Sequence, residues 1–373
     1  MREVLAELMA WWREGRPVGM ATVVATWSSA PRQPGATMLV GPDGTAVGSV
    51  SGGCVEAAVY ELGTEVIETG MPTLVRYGVS DDDAFAVGLT CGGTIELFVE
   101  RVDRAGYPQM GLLEKSIRDG EPVAVATIIR GRPDQIGKRL VIWRDRRDGS
   151  LGSARLDDAA TDDARGMLSV GHTGELRYGL DGERLGDGLT LFVASFAPRP
   201  RMLVFGAIDF AAAVARIGHF LGYRVTVCDA RPVFATPKRF PGVEVVVDWP
   251  HRYFTGELQA GRVDGRTVVC VLTHDAKFDV PLLQVVLGCE VGYVGVMGSR
   301  RTHEDRLKRL REAGVAEDQL ARMRSPIGLD LGARTPEETA VSIAAEIIAQ
   351  RWGGRGRPLS TLTDRIHRDP PVA

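Results

Sequence analysis

Apolar positions in the first half of the chain change their period several times. Val4, Leu8 and Trp12 recur at helical spacing, and residues 18–26 then form a β-rich run typical of a strand. Turn residues at 41–44 separate two short β-rich runs and predict a hairpin. A further helix and two further strands are predicted over residues 55–66, 73–77 and 95–99. We therefore expect a mixed α+β domain from residue 1 to residue 197, and its sequence shows no internal repeat.

Beyond residue 197 the pattern becomes regular. The stiff segment Pro198–Arg199–Pro200 suits a domain boundary, and β-rich runs then alternate with helical runs. Because such alternation is typical of a parallel, doubly wound sheet, we expect a Rossmann-like domain over residues 198–353 and an α/β chain as a whole. Residues 354–373 have few apolar side chains and are expected to form a flexible tail. The strands are predicted over residues 202–205, 224–228, 243–247, 267–272 and 291–296.

The last helix of this second domain carries its own boundary signals. Thr335 is placed to cap the helix, and Pro336 suits its first position. Glu338 is spaced to reach back and complete a capping box. The glycine-rich segment from Gly353 is expected to end the helix.

Charge and hydropathy exclude several classes of protein. The chain has 45 Lys and Arg residues against 48 Asp and Glu, a net charge of −3, so no basic field exists to hold nucleic acid. No apolar run approaches the ~20 residues that a membrane span needs. Charged residues interrupt the first fifteen positions, which therefore do not resemble a secretory signal. We expect a cytoplasmic protein that binds neither nucleic acid nor membrane.

Two glycine-flanked cysteines are candidates for chemistry. Cys54 follows Gly52 and Gly53 and precedes a predicted helix, a position that makes a thiol a better nucleophile or ligand. Cys91 is followed by Gly92 just before a predicted strand. Either cysteine could instead be a small residue that fills a tight loop. Cysteines inside strands are assigned to the core, namely Cys228 and Cys270.

The turn after the first strand of the second domain resembles a dinucleotide site. Gly206 lies at that turn, and Asp229 closes the next strand 23 residues later. A glycine there lets the backbone approach a pyrophosphate, and the acidic residue accepts hydrogen bonds from ribose hydroxyls. However, Ile208 stands at the second glycine position, where its branched side chain would crowd that approach. The pattern predicts a Rossmann fold, whereas Ile208 argues against bound NAD(P).

Two further segments follow strands of the second domain. Gly298, Ser299 and Arg300 open a helix, so they could bind an anion or simply begin a solvated helix. His274 follows an apolar strand at the edge where ligands of open α/β sheets bind. It could act as a general base or ligand, or be held by a neighbouring carboxylate.

Seven segments, in order along the chain, resemble the XdhC/CoxI family of xanthine dehydrogenase accessory proteins. The resemblance implies a cytoplasmic chaperone that binds the molybdenum cofactor (molybdopterin), protects it during sulfuration and inserts it into a xanthine dehydrogenase-type molybdenum hydroxylase. We also expect a cysteine desulfurase as a partner and a homo-oligomer. At the Rossmann turn the family commonly has Gly-Ala-Gly-His, where this chain has Gly206-Ala-Ile-Asp209. The segments are residues 30–35, 48–56, 88–93, 227–232, 273–275, 294–301 and 326–338.

This resemblance leads to a predicted cofactor site. Cys54 and Cys91 are expected at the molybdenum or sulfur end, with Arg32 as an anion partner. Gly52 and Gly53 would let the backbone approach the ligand closely. Two alternatives stay open: an NAD(P)-dependent oxidoreductase that uses His274, and a thiol-redox protein that cycles Cys54 and Cys91. The remaining predicted contacts are Gly92, Gly206, Asp229, Arg231, His274, Gly298, Ser299 and Arg300.

Overall fold

The computed structural model describes residues 1–27, 30–78, 93–184 and 186–363. Contacts between backbone positions divide the chain into two units. The first runs from Met1 to Pro198 and the second begins at Arg199, inside the proline-containing connector. Of the predicted tail, residues 364–373 lie outside the described residues. No helix within the described ranges is long and apolar enough to cross a bilayer.

The first unit begins with a helix and a five-stranded antiparallel sheet. The sheet has the order β3-β2-β1-β5-β4, and α2 connects β3 to β4. The predicted hairpin is confirmed, because Leu39 of β2 pairs with Val47 of β3. The elements are α1 (Leu5–Arg13), β1 (Val18–Trp27), β2 (Thr37–Val40), β3 (Ala46–Gly48), α2 (Glu56–Thr69), β4 (Thr73–Tyr77) and β5 (Thr94–Val102).

A second helix and a second antiparallel sheet follow in the same unit. This sheet has the order β8-β7-β6-β10-β9, and α4 connects β8 to β9. The elements are α3 (Met110–Asp119), β6 (Val123–Arg130), β7 (Arg139–Trp143), β8 (Arg147–Gly149), α4 (Ala154–Val170), β9 (Gly174–Gly179) and β10 (Gly188–Phe196).

The first unit therefore consists of two structural repeats, although no repeat is visible in its sequence. Over the residues that the structure describes, both halves have the element order αβββαββ and the same order of strands in the sheet. Register agrees as well, since Met38 pairs with Gly48 and Leu140 pairs with Gly149 at corresponding places. Few residue types coincide, so comparison of residues alone missed the correspondence. We call residues 5–102 the first repeat and residues 110–196 the second repeat.

The core of the first unit explains why the central strands β1 and β6 are apolar on both faces. One face of the first sheet packs against α2 through Val23, Val59 and Leu97. The opposite face contributes Phe98 to a cluster that also contains Phe192 of the second repeat. Because neighbouring residues of a strand point to opposite faces, strands with a helix on one side and a sheet on the other carry apolar residues throughout.

The second unit is a doubly wound parallel sheet, as the sequence predicts. The order of strands across the sheet is β13-β12-β11-β14-β15-β16. Strands after β11 are added on one side up to β13 and on the other side from β14. Such sheets bind ligands at this switch point, between β11 and β14. The elements are β11 (Arg201–Phe205), α5 (Asp209–Phe220), β12 (Arg224–Asp229), β13 (Glu244–Val247), α6 (Pro250–Gln259), β14 (Val268–Val271), α7 (Ala276–Leu287), β15 (Tyr293–Val296), α8 (Arg300–Glu312), α9 (Glu317–Ala321), β16 (Met323–Arg324) and α10 (Pro336–Trp352).

Candidate functional site

The loop between β3 and α2, residues 49–55, carries the candidate thiol of the first repeat, and we call it the Cys54 loop. Gly52 and Gly53 have φ values of +84° and +125°, which L side chains rarely adopt. Among the residues that the structure describes, no atom lies within 4 Å of a Cβ added at either glycine. Backbone conformation therefore requires these glycines, and no described residue fills the space beside them.

The carboxylate of Glu56 occupies the centre of this loop. Both of its oxygens accept hydrogen bonds from loop amides and from the hydroxyls of Ser49 and Ser51. The amide nitrogens of Gly52 and Gly53 are among these donors. A ligand that approached the backbone there, as the sequence predicts, would therefore find these amides already hydrogen-bonded to Glu56. The amide distances are 3.2 Å from Val50, 2.9 Å from Ser51, 3.0 Å from Gly52, 2.8 Å from Gly53 and 3.2 Å from Val55.

These hydrogen bonds keep Glu56 ionised. Partial burial raises the pKa of Glu56, but the hydrogen bonds from Ser49, Ser51 and the backbone outweigh it and lower the pKa to about 2. Convergent backbone amides form a typical anion-binding concavity. Here the anion is a side chain of the protein itself.

Cys54 lies at the border between the core and the surface. Its side chain is half-buried and packs beside the cluster that contains Val50 and Val55. Its amide donates to the hydroxyl of Ser51 over 2.9 Å. The other candidate thiol, Cys91, and its neighbour Gly92 lie outside the described residues, so their expected place at the molybdenum or sulfur end of the cofactor stays a prediction.

Arg32 lies against the start of the Cys54 loop. Its Nε donates to the carbonyl oxygen of Ser49 over 3.4 Å, and its Nη2 is 3.0 Å from the Glu3 carboxylate. The guanidinium also borders a cavity of about 460 Å³ that is lined by Thr22 and Ser195. The structure thus brings Arg32 and the Cys54 loop together, while Glu3 balances part of the positive charge.

A second group of predicted residues lies at the carboxyl edge of the parallel sheet. Gly206 has a φ of +106°, and a Cβ there would be 2.8 Å from Cγ2 of Thr273. Glycine is therefore needed because the turn after β11 presses against the loop after β14. His274 follows Thr273 in that loop and is exposed.

Asp229 has protein partners on both carboxylate oxygens. Oδ2 accepts from the amide of Ala207 at 2.7 Å and from Nη2 of Arg231 at 2.8 Å. Oδ1 accepts from the amide and from Nε of Arg231, each at 2.9 Å. Burial raises the pKa of Asp229, but Arg231 and the amides lower it overall. The acceptor expected for ribose hydroxyls is thus already engaged, and Ile208 packs its side chain against the core beside α5.

A buried ion pair that the sequence analysis missed connects two loops at this edge. Asp279 and Arg306 are 3% and 4% exposed and are 3.1 Å apart. Asp279 also accepts from the hydroxyl of Thr273, and Arg306 donates to the carbonyl oxygen of Met297 over 3.0 Å. The pair therefore fixes the loops after β14 and β15 relative to each other. In the sequence, Asp279 and Arg306 are simply charged residues within two helices, and nothing there indicates that they pair.

The remaining predicted residues lie at the start of α8. Ser299 caps this helix by accepting from the amide of Thr302 at 3.1 Å, and Gly298 precedes the cap. Arg300 is exposed at the first helical position. Among the residues that the structure describes, no group of three His, Cys, Asp or Glu side chains is arranged to hold a metal ion.

Comparison with protein families matches most of the chain. The model described as "XdhC Rossmann domain" matches residues 202–347, and the model "XdhC and CoxI family" matches residues 11–78 and 116–179. The two stretches of the second match occupy corresponding parts of the two repeats, from the first helix to the fourth strand.

Curated relatives and a solved structure agree with this match. A Bacillus subtilis protein named as a probable xanthine dehydrogenase subunit is 28% identical over 89% of this chain and 92% of the relative. "Molybdenum cofactor insertion chaperone PaoD" of Escherichia coli is 26% identical over 90% of this chain and 84% of the relative. A crystal structure described as a xanthine dehydrogenase from Bacillus halodurans superposes with a TM-score of 0.65 at 25% identity, covering 96% of this chain and 98% of the other.

Proposed function

Because the chain belongs to the XdhC and CoxI family, we propose that it is an accessory chaperone that binds the molybdenum cofactor and delivers it to a xanthine dehydrogenase-type molybdenum hydroxylase. The names of the two relatives, one a cofactor insertion chaperone and the other a xanthine dehydrogenase subunit, support this role. On this proposal the cofactor is cargo that the chain holds and releases.

The observation that carries the proposal is the geometry of the Cys54 loop. Five of its amides donate to Glu56 and the amide of Cys54 donates to Ser51, so we assign the contact with the cofactor to the half-buried thiol of Cys54 rather than to the backbone of the loop. Thiolates are soft ligands suited to the metal and sulfur end of such a cofactor. None of the described residues fills the space beside Gly52 and Gly53, and we propose that a ligand occupies it next to that thiol.

The other predicted residues offer groups that bind anions. Arg32, beside the Cys54 loop, offers a guanidinium to the anionic part of the cargo. In the second unit, we propose that Ser299 and Arg300 bind an anionic group at the carboxyl edge of the sheet. Gly206, Asp229, Arg231, His274 and Gly298 would shape this edge. We further propose that the chain holds the cofactor during sulfuration, with a cysteine desulfurase as partner, and that it acts as a homo-oligomer.

An NAD(P)-dependent oxidoreductase is the weaker candidate. A ribose hydroxyl would have to compete with the Arg231 guanidinium for Asp229, and Ile208 stands at the second glycine position of the dinucleotide-binding pattern. Both features favour the chaperone.

The proposed function is tested by transfer to a client. Cofactor-loaded chain is mixed with a cofactor-free molybdenum hydroxylase, and the active fraction of the hydroxylase is measured. The intact chain should raise this fraction, and Cys54→Ala should lose most of the effect at an unchanged melting temperature. Cys289→Ala is the matched control, since Cys289 is also half-buried but lies after α7. Equal transfer by the Cys54 variant would contradict the proposed role of the loop.

A further inference from the structure

Both repeats of the first unit carry a corresponding segment where the third strand leads into the second helix. In the first repeat this segment runs from Gly48 to Glu56, and in the second from Gly149 to Asp157, which lies in the first turn of α4. Each begins with a glycine of positive φ, +83° and +95°, whose Cβ would collide with the carbonyl oxygen at the start of the neighbouring strand. Each ends eight residues later in a carboxylate.

The hydrogen bonds of the two carboxylates correspond. Asp157 accepts from the hydroxyl of Ser150 at 2.8 Å and from the amide of Leu151 at 2.7 Å. Glu56 accepts from the corresponding Ser49 hydroxyl at 2.6 Å and from the amide of the following residue. A carboxylate at this place is therefore part of the scaffold of both repeats.

The loops differ in what lies between these shared ends. In the second repeat the helix starts early, at Ala154, because Ser153 caps it. In the first repeat the helix starts only at Glu56, and the longer side chain of Glu56 also holds the amides of Ser51, Gly52, Gly53 and Val55. The position of Cys54 is occupied by Arg155 in the second repeat.

We propose that Glu56 is the positioning residue of the Cys54 thiol. Its carboxylate is a built-in anion that holds the Cys54 loop, which stays non-helical for longer than its counterpart, in the shape in which the thiol contacts the cofactor. Asp157 makes the corresponding hydrogen bonds in the second repeat, which has Arg155 in place of the thiol. On this proposal the role of Asp157 is structural only. The contact between thiol and cofactor rests on the proposed function, whereas the control of the thiol by Glu56 does not.

The experiment compares Glu56→Gln with Asp157→Asn, which removes the charge from the corresponding carboxylate of the second repeat. The rate of alkylation of each cysteine by iodoacetamide is measured by mass spectrometry on cofactor-free protein, and bound molybdenum is measured on loaded protein. Glu56→Gln should speed alkylation of Cys54 about five- to tenfold, because the loop loses hydrogen bonds to a charged group. The loaded Glu56→Gln variant should also lose most of its bound molybdenum.

Internal controls separate positioning from unfolding. Cys228 and Cys270 are 1% and 0% exposed and should stay unmodified in a folded variant. Asp157→Asn should lower the melting temperature while leaving Cys54 alkylation and bound molybdenum unchanged. Should Glu56→Gln fail to fold, Ser49→Ala removes one donor to Glu56 and Ser150→Ala removes its counterpart. Only Ser49→Ala should then speed Cys54 alkylation.

Two results would overturn the proposal. One is unchanged Cys54 alkylation in both Glu56→Gln and Ser49→Ala, and the other is an equal change in the second-repeat variants. The alkylation measurement needs no cofactor, so it is independent of the proposed function. If Cys54→Ala keeps its molybdenum while Glu56→Gln speeds alkylation, the proposed function at this loop fails and control of the thiol by Glu56 stands.

Discussion

At Glu56, five backbone amides and two hydroxyls converge on the oxygens of one carboxylate. The sequence marks the neighbouring Gly52, Gly53 and Cys54 as unusual, yet it predicts that the glycines serve a ligand. The structure shows that their amides serve Glu56. A single sequence could not reveal this, because any acidic residue near a helix start fits the ordinary preference for negative charge at that end.

The low pKa of Glu56 predicts how stability depends on pH. Its folded pKa of about 2 lies below its ordinary value, so the stabilisation is present above that ordinary value and is lost as pH falls through about 2. Because the carboxylate is partly solvated, we expect it to contribute about 1–2 kcal/mol at neutral pH. The free energy of unfolding should therefore differ between the protein and Glu56→Gln by that amount at pH 7.

Urea unfolding at several pH values measures this difference. Between pH 7 and pH 5 the difference should stay constant, and below the ordinary carboxyl pKa it should shrink steadily. Glu61→Gln, an exposed substitution on the same helix, is the matched control. A difference that is constant down to pH 3 would mean that the ionised carboxylate does not hold the loop.

Other single residues were predictable to different degrees. The core assignment of Cys228 and Cys270 is confirmed, and burial raises the pKa of each thiol to about 12. The spacing predicts Asp229 as a contact for a ligand, and that stays a prediction. Its ion pair with Arg231 was not predicted, because a neighbouring arginine can equally point to a ligand. Pairing depends on the local backbone path, which spacing alone does not determine.

At the scale of elements, helix boundaries with local chemical signals were predicted well. The capping box of α10 is confirmed: the Thr335 hydroxyl accepts from the amide of Glu338 at 3.1 Å, and Glu338 accepts from the amide of Thr335 at 3.1 Å. By contrast, α4 was missed because residues 151–187 mix Gly, Asp and Arg with weak periodicity. The repeat was missed for a related reason, since packing preserves the order of elements while the residue types change.

The cap of α10 should contribute measurably to the second unit. Thr335→Ala removes the acceptor for the Glu338 amide and should lower the free energy of unfolding by about 1 kcal/mol. Chemical denaturation measures this loss. Restoring the acceptor with Thr335→Ser should recover most of the stability. A Ser variant no more stable than the Ala variant would show that the hydroxyl does not cap this helix.

At the scale of the whole molecule, the chain combines a duplicated antiparallel unit with a parallel one. The candidate thiol and Arg32 belong to the first unit, and the Rossmann turn with its engaged Asp229 belongs to the second. The regular alternation of strands and helices made the second fold predictable from sequence. The architecture of the first unit depends on which strands pair across long separations, and hydrophobic patterns do not encode this directly.

The central claim is that this chain binds the molybdenum cofactor through the Cys54 loop, and equilibrium binding of isolated cofactor to the cofactor-free protein tests it most directly. We predict saturable binding of the cofactor to the intact chain and to Cys289→Ala. Binding to Cys54→Ala should be at least about tenfold weaker, which corresponds to a loss of about 1.4 kcal/mol in binding free energy. NADH should show no saturable binding under the same conditions. Absence of saturable cofactor binding, or equal affinity in the Cys54 variant, would contradict the account.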